Sequence, residues 1–218
     1  VERTEQQAQD LLEPQWEARL EKNPTDAELF EDEKALDSWL GSARVLIGNY
    51  FKMENPQFLQ PAARESFVNA TLPSGLHIRG IIDRVDQAPN GALRVIDYKT
   101  GKSPAPRFQG EAIFQMRFYA AALVLSGRNL PARTQLIYLK DGRTLTYDPV
   151  PADVDAIAME LDSAWSAIEE RLDTGEFEAK TSPLCNWCHF QQYCPAYGGE
   201  TPPMSEEGAK KLRTAKSK

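Results

Sequence analysis

The chain has 218 residues, 41% apolar and 26% charged, with a net charge of −7 at neutral pH. That balance is globular, with room for one sizeable core, and no run is long and apolar enough to cross a membrane. An acidic chain does not coat nucleic acid by charge alone, but it can still grip phosphates locally through a metal and a few basic residues.

Residues 1–54 read as helical: Leu11, Leu12, Trp16 and Leu20 recur at helical spacing, interrupted by Pro14. A second helix is predicted over 32–51 on the stripe Leu36, Trp39, Leu40, Ala43, Leu46, Ile47 and Tyr50, and Asn55-Pro56 ends it. Residues 64–72 alternate like a strand, and Pro73-Ser74-Gly75 turns the chain back. Two apolar runs, 78–85 and 92–98, flank Ala88-Pro89-Asn90-Gly91 and form a hairpin. Residues 100–106 are a loop; Gly101-Lys102-Ser103 imitates a phosphate-binding loop but lacks its first glycine and is followed by prolines. A helix is predicted over 111–125, with Gln115 and Tyr119 one turn apart beside the apolar stripe. A second hairpin (133–139 and 143–147) and a helix over 152–173, stopped near Gly175, follow. The order predicts an α/β (α+β) sandwich, with a sheet that opens on three antiparallel strands and has helices on its faces. The expected divisions are a helical layer (1–60), a core (61–182), a cysteine segment (183–200) and a frayed, disordered tail (201–218).

The chemistry concentrates in the central hairpin. Asp83 and Asp97 stand where buried strands usually carry no acid, and Lys99, two residues on, shares a face with Asp97. Two carboxylates and an ammonium can hold a divalent cation and a water against a phosphate; Mg²⁺ and Mn²⁺ take hard oxygen ligands and keep several waters. Taken singly, the residues also fit plainer parts, Asp83–Lys99 as a structural ion pair and Asp97 as a solvated strand residue.

Read together, GIIDRVD, VIDYKTG and FQMRFYAAAL resemble the RecB family of the PD-(D/E)xK nuclease superfamily, from about residue 65 to 197. The similarity is to compact stand-alone exonuclease-like members, and to AddB-type and CRISPR-associated iron–sulfur nucleases. It implies a restriction-endonuclease-like core with a mixed sheet. Asp83 and Asp97 become metal ligands together with the peptide carbonyl of Tyr98, Lys99 the catalytic lysine, and Gln115 and Tyr119 the helix motif near the DNA backbone. The implied activity is an Mg²⁺- or Mn²⁺-dependent deoxyribonuclease, an exonuclease on single strands or duplex ends, in DNA repair or recombination, with a helicase as a possible partner. No secretory signal is read, so the expected compartment is cytoplasmic. Rival readings are a catalytically weak DNA-binding or scaffold module docked on a helicase, and a zinc-dependent interaction domain.

Cys185, Cys188 and Cys194 form C-x2-C-x5-C followed by Pro195. Clustered cysteines in such a chain point to a metal more than to disulfides, and the trailing proline leans toward iron–sulfur ligation. In the resembling nucleases the trio pairs with a distant upstream cysteine on a four-iron four-sulfur cluster, and an upstream histidine joins the active site. Neither is present here: no cysteine precedes Cys185, and His77, in the strand leading to Asp83, does not match the motif. The expectation is that one cause accounts for both, a sequence that begins part-way into the natural domain with both residues ahead of Val1; the alternative is a family member that has lost both. His189 as fourth ligand, a zinc site of three cysteines plus another group, and three buried unliganded thiols are the alternatives.

Overall fold

The structure, a computed structural model, describes residues 2–216. Val1 and the last two residues of the expected tail, 217 and 218, lie outside the described residues. The N-terminal layer consists of α1 (Glu5–Asp10), α2 (Leu12–Lys22) and α3 (Glu33–Met53). Pro14 does not interrupt α2. It sits in the first turn, where a backbone N–H has no partner inside the helix to lose. Trp16, Phe30 and Trp39 pack together with ring centroids 5.4–5.5 Å apart and join α2 to α3. Asp32 caps α3, accepting from the Ala35 N–H at 2.7 Å.

The five strands are β1 (Ala63–Thr71), β2 (His77–Gln87), β3 (Leu93–Lys99), β4 (Arg133–Tyr138) and β5 (Arg143–Tyr147), adjacent in that order. β1, β2 and β3 pair antiparallel, as their short turns require, and Gly91 supplies the positive φ (84°) of the hairpin turn. β3 pairs parallel with β4, because α4 (Gly110–Leu125) carries the chain back across the sheet before β4 begins. α4 packs on one face over Val68, Ile82, Val85 and Val95, and α5 (Pro151–Thr174) packs outside it. Ile82, Met116, Leu123 and Leu136 are fully buried there, and Ile96 is fully buried on the opposite face. α3 covers the other face. Its Asn49 side chain donates to the Leu139 carbonyl at 2.8 Å, and Tyr50 meets Tyr98 edge-on with centroids 5.8 Å apart.

The segment expected to be a frayed tail instead carries α6 (Glu206–Arg213). Ser205 caps it, Glu206 and Glu207 lie in its first turn, and Lys210, Lys211 and Arg213 in its last, so the charges complement the helix dipole. Arg213 pairs with Asp173 of α5, and Lys216 bridges Leu76 ahead of β2. Among the described residues no helix is long and apolar enough to cross a membrane.

Candidate active site

β3 presents successive side chains to opposite faces. Asp97 and Lys99 emerge toward α4, and Tyr98 toward α3. Asp97 is only 4% exposed. Its Oδ1 accepts from the Tyr119 hydroxyl at 2.9 Å and from Gln115 Nε2 at 3.1 Å, and Gln115 also donates to Tyr119 at 3.0 Å. Its Oδ2 lies 2.7 Å from Lys99 Nζ and is otherwise buried without a hydrogen-bonding partner. Lys99 thus pairs with Asp97 and not with Asp83, which rules out the Asp83–Lys99 ion pair of the plainer reading. Burial, reinforced by the Asp97 charge, pushes the Tyr119 phenol up to about 12. It therefore stays a neutral donor to Asp97 at neutral pH.

Asp83 reaches the same region from β2, its Oδ2 accepting the Tyr98 backbone N–H at 2.8 Å. A break in strand alternation aims it there. Ile78 and Ile82 face α4, yet so does Val85; on β1, Val68 faces α4, yet so does Ala63. Both strands exchange faces between those positions, and the break brackets Glu65 and Asp83, which stand opposite each other between the pairs Arg64–Arg84 and Ser66–Ile82. Glu65 takes φ 45°, the one non-glycine residue with positive φ among those described. Such strain costs about 1–3 kcal/mol and persists where the surrounding structure enforces it, as face-switching irregularities beside active sites do.

Sequence reasoning missed the support behind Tyr98. Arg84, 4% exposed, forms a two-pronged ion pair with Glu54 at the end of α3 (2.8 and 2.7 Å), approaches Asp86 at 3.1 Å and donates to the Tyr98 hydroxyl. The Tyr98 hydroxyl in turn donates to Glu54 at 2.6 Å. Burial raises the Glu54 carboxyl, but the Arg84 and Tyr98 hydrogen bonds and the Arg84 charge outweigh it and hold the group below its ordinary value. Burial and then the Glu54 contact push the Tyr98 phenol well above its usual range. Two charged residues flanking Val85 read in sequence as a solvated strand face, and Glu54 lies thirty residues earlier. The one available signal is that Arg84 and Asp86 alternate in a strand covered on both faces.

The donor set matches a hard divalent cation. It offers carboxylate oxygens from Asp83 and Asp97, one of them buried with only an ammonium against it, beside the Tyr98 peptide. Among the described residues no three His, Cys, Asp or Glu side chains are gathered as a metal site. Mg²⁺ does not require a third, since it retains waters in its shell.

The cysteine segment forms three short 3-10 turns. Cys188 is exposed and Cys185 and Cys194 half-buried, so the alternative of three buried thiols does not hold. The Ser182 N–H, 3.3 Å from Cys185 Sγ, lowers that thiol, with the Tyr197 hydroxyl assisting. Burial raises the Tyr197 phenol, and the hydrogen bond and charge of Cys185, with the charges of Cys194 and Cys188, add to the rise. His189 is exposed and joins no such group.

Comparison with known proteins gives the family. Residues 1–195 match the sequence profile of the PD-(D/E)XK nuclease superfamily. The Gene 69 protein of Mycobacterium phage L5 is 30% identical over 126 residues, 56% of this chain and 41% of that protein. The chain thus spans about two fifths of the length of this relative. The crystal structure of SSO0001 superimposes with a TM-score of 0.41 at 21% identity, covering 83% of this chain and 80% of that one. With a mixed five-stranded sheet, its flanking helices and a match over residues 1–195, the chain belongs to the PD-(D/E)XK nuclease superfamily.

Proposed function

We propose that the chain is a RecB-type, Mg²⁺- or Mn²⁺-dependent deoxyribonuclease, an exonuclease acting in DNA repair or recombination. The observation that carries this reading is the convergence of Asp83, Asp97 and Lys99, from two adjacent strands, on one place supported by Gln115 and Tyr119. Asp83, Asp97 and the Tyr98 carbonyl would hold the cation, which when bound neutralises phosphate charge and acidifies water. The chain's own residues do the remaining work. Tyr119 and Gln115 lock the Asp97 carboxylate in one orientation. Lys99, its side chain a third exposed and its ammonium paired with Asp97 Oδ2, orients the attacking water and stabilises negative charge developing on the phosphate oxygens. Water adds to phosphorus, the bond to the leaving sugar oxygen breaks, and that oxygen departs as an alcohol on taking up a proton.

The deciding experiment is digestion of end-labelled linear and closed circular DNA with Mg²⁺ or Mn²⁺. Wild type should release nucleotides from linear ends and spare circles, and Lys99→Ala should be inactive. Cleavage by Lys99→Ala at the wild-type rate would overturn the assignment.

The C-x2-C-x5-C spacing of Cys185, Cys188 and Cys194 supports a metal role for the segment, an iron–sulfur cluster or zinc. Three thiols fall one short of a four-cysteine cluster, and no step of the reaction runs through them. Metal analysis of anaerobically purified protein separates iron with sulfide from zinc. A helicase partner is the further expectation for a nuclease of this type, tested by co-purification.

A further inference from the structure

The surplus acid of the chain is not spread along it. Residues 1–60 carry thirteen carboxylate side chains against six lysines and arginines, and the remainder is balanced, so the whole net charge of −7 belongs to the N-terminal helical layer. Arg19 pairs there with Asp26 and Arg44 with Glu13, while Glu54 is taken up by Arg84 of the sheet. The other carboxylates of the layer join no ion pair among the described residues. The same layer leaves apolar surface open. A groove of about 820 Å³ runs between α1, the start of α2 and the C-terminal half of α3, and reaches Thr100 and Leu139 beyond the ends of β3 and β4. Leu11, Leu12, Ala43, Leu46, Ile47 and Tyr50 wall it. The last four stand at i, i+3, i+4 and i+7 on the apolar stripe of α3, yet only Leu40 and Gly48 of that helix are buried, and Leu11 is 55% exposed. Glu2 and Asp10 line the groove as well. Arg3, the one cation lining it among the described residues, donates to the Pro56 and Leu59 carbonyls at 3.0 and 2.8 Å.

We infer that this groove docks a protein partner, which enters as an amphipathic helix bordered by lysine or arginine. The α3 stripe covers two turns, about 10 Å, and takes the apolar face of a helix laid along it. None of the lining residues belongs to β1 or β5, the edge strands, so an extended peptide finds no backbone ladder to join in the groove. Charge selects among the remaining occupants. Nucleic acid and anionic lipid carry the sign of the layer and are repelled, and a second copy docked groove to groove would set one acidic layer against another. A basic border instead meets Glu2, Asp10 and the unpaired carboxylates around them. Nothing in this docking depends on the nuclease reading, since Asp97 and Lys99 emerge on the α4 side of the sheet.

The probe is a fluorescein-labelled leucine–lysine peptide of about 18 residues, long enough to form a helix, with its leucines at i, i+3, i+4 and i+7. Anisotropy should show it binding wild type about tenfold tighter than two controls, a scrambled peptide of the same composition and a leucine–glutamate peptide of the same spacing. Glu2→Lys/Asp10→Lys should weaken binding about tenfold at low salt and by much less at about 0.5 M salt. Ala43→Trp, which fills the groove, should weaken it at both. Glu160→Lys, a reversal at an exposed site on α5, should bind as wild type does. Glu2 and Asp10 are exposed, so the rim variant keeps the test open even where the tryptophan disturbs folding. Equal binding of either control peptide would overturn the proposal, and so would wild-type affinity in the rim variant or an equal loss in Glu160→Lys. Light scattering that showed a wild-type dimer dissolved by Ala43→Trp would overturn it too, by giving the groove to a second copy. The measurement needs neither metal nor DNA, so its failure and that of the digestion assay are told apart.

Discussion

Removing Glu54 by Glu54→Gln should cost the fold about 3 kcal/mol, the lower end of the 3–5 kcal/mol measured when one partner of a buried ion pair is deleted. The lower end applies because Asp86 stays 3.1 Å from the guanidinium and compensates part of its charge. Glu54 is 13% exposed and Arg84 4%, so solvent screens the pair little. Arg84→Met should cost a similar amount, since Glu54 would keep only the Tyr98 hydroxyl. The double variant Arg84→Met/Glu54→Leu should cost much less than the sum, because a buried pair replaced by apolar groups is often close to neutral. Urea denaturation of the four proteins at pH 7.5 gives the cycle. The pH dependence supplies a second check. Glu54 titrates below its ordinary value in the folded state, so its stabilisation is complete above the unfolded value of about 4.3 and is lost as pH falls through the folded one. The gap between wild type and Glu54→Gln should therefore close on acidification below about pH 4. Single-variant costs under about 1 kcal/mol, or strict additivity in the cycle, would refute the idea that this network braces the site.

Tyr119→Phe should lower the DNA-cleavage rate without abolishing it and reduce stability by about 1.5–3 kcal/mol, the worth of a hydrogen bond to a charged group; an unchanged rate would show that Asp97 needs no such orientation. Asp153 accepts from the Arg117, Tyr147 and Val150 donors at 2.8–2.9 Å and ties α4 to α5. Burial raises its carboxyl, but the Val150 N–H, Tyr147 and Arg117 outweigh it and hold it below the ordinary value, so its stabilisation is present above about pH 4 and fades as pH falls through the folded value. Thermal melts of Asp153→Asn should accordingly lie furthest below wild type at neutral pH and converge with it in acid. Glu65→Gly, which relieves a positive φ, should leave thermal stability unchanged or raise it by about 2–4 °C per kcal/mol of strain released, and a fall would mean that the glutamate side chain itself holds the strand.

The sheet was legible because its signals are local. Period-two apolar runs, Asn-Gly in the turn and a helical stripe between 110 and 125 each depend on residues within a few positions of one another. Asp83, Asp97, Lys99, Gln115 and Tyr119 stood out for the related reason that acids interrupt apolar strands and a polar pair interrupts an apolar helix. What escaped was long-range or conformational. Nothing near Arg84 announces Glu54, and no propensity assigns a left-handed backbone to a glutamate. The α6 helix was missed by weighing the polarity of its stretch over its charge order; Ser205, the two glutamates and the trailing lysines are a readable cap-and-dipole pattern.

The alternation along β3 explains why so short a segment can organise a site from both sides of a sheet. Asp97 is anchored by α4 through Tyr119 and Gln115, whereas Tyr98 is anchored by α3 through Glu54 and Arg84. The Tyr98 peptide then holds Asp83 at 2.8 Å, so the position of one acid depends on α4 and that of the other on α3. Relative placement of the two carboxylates is therefore fixed only when both helices are docked, and an isolated hairpin would carry the same residues without their geometry. Variants on the two faces share no direct partner, so their stability effects should add. Their effects on cleavage should not, because both act through one pair of carboxylates, and displacing either already removes most of what the pair does.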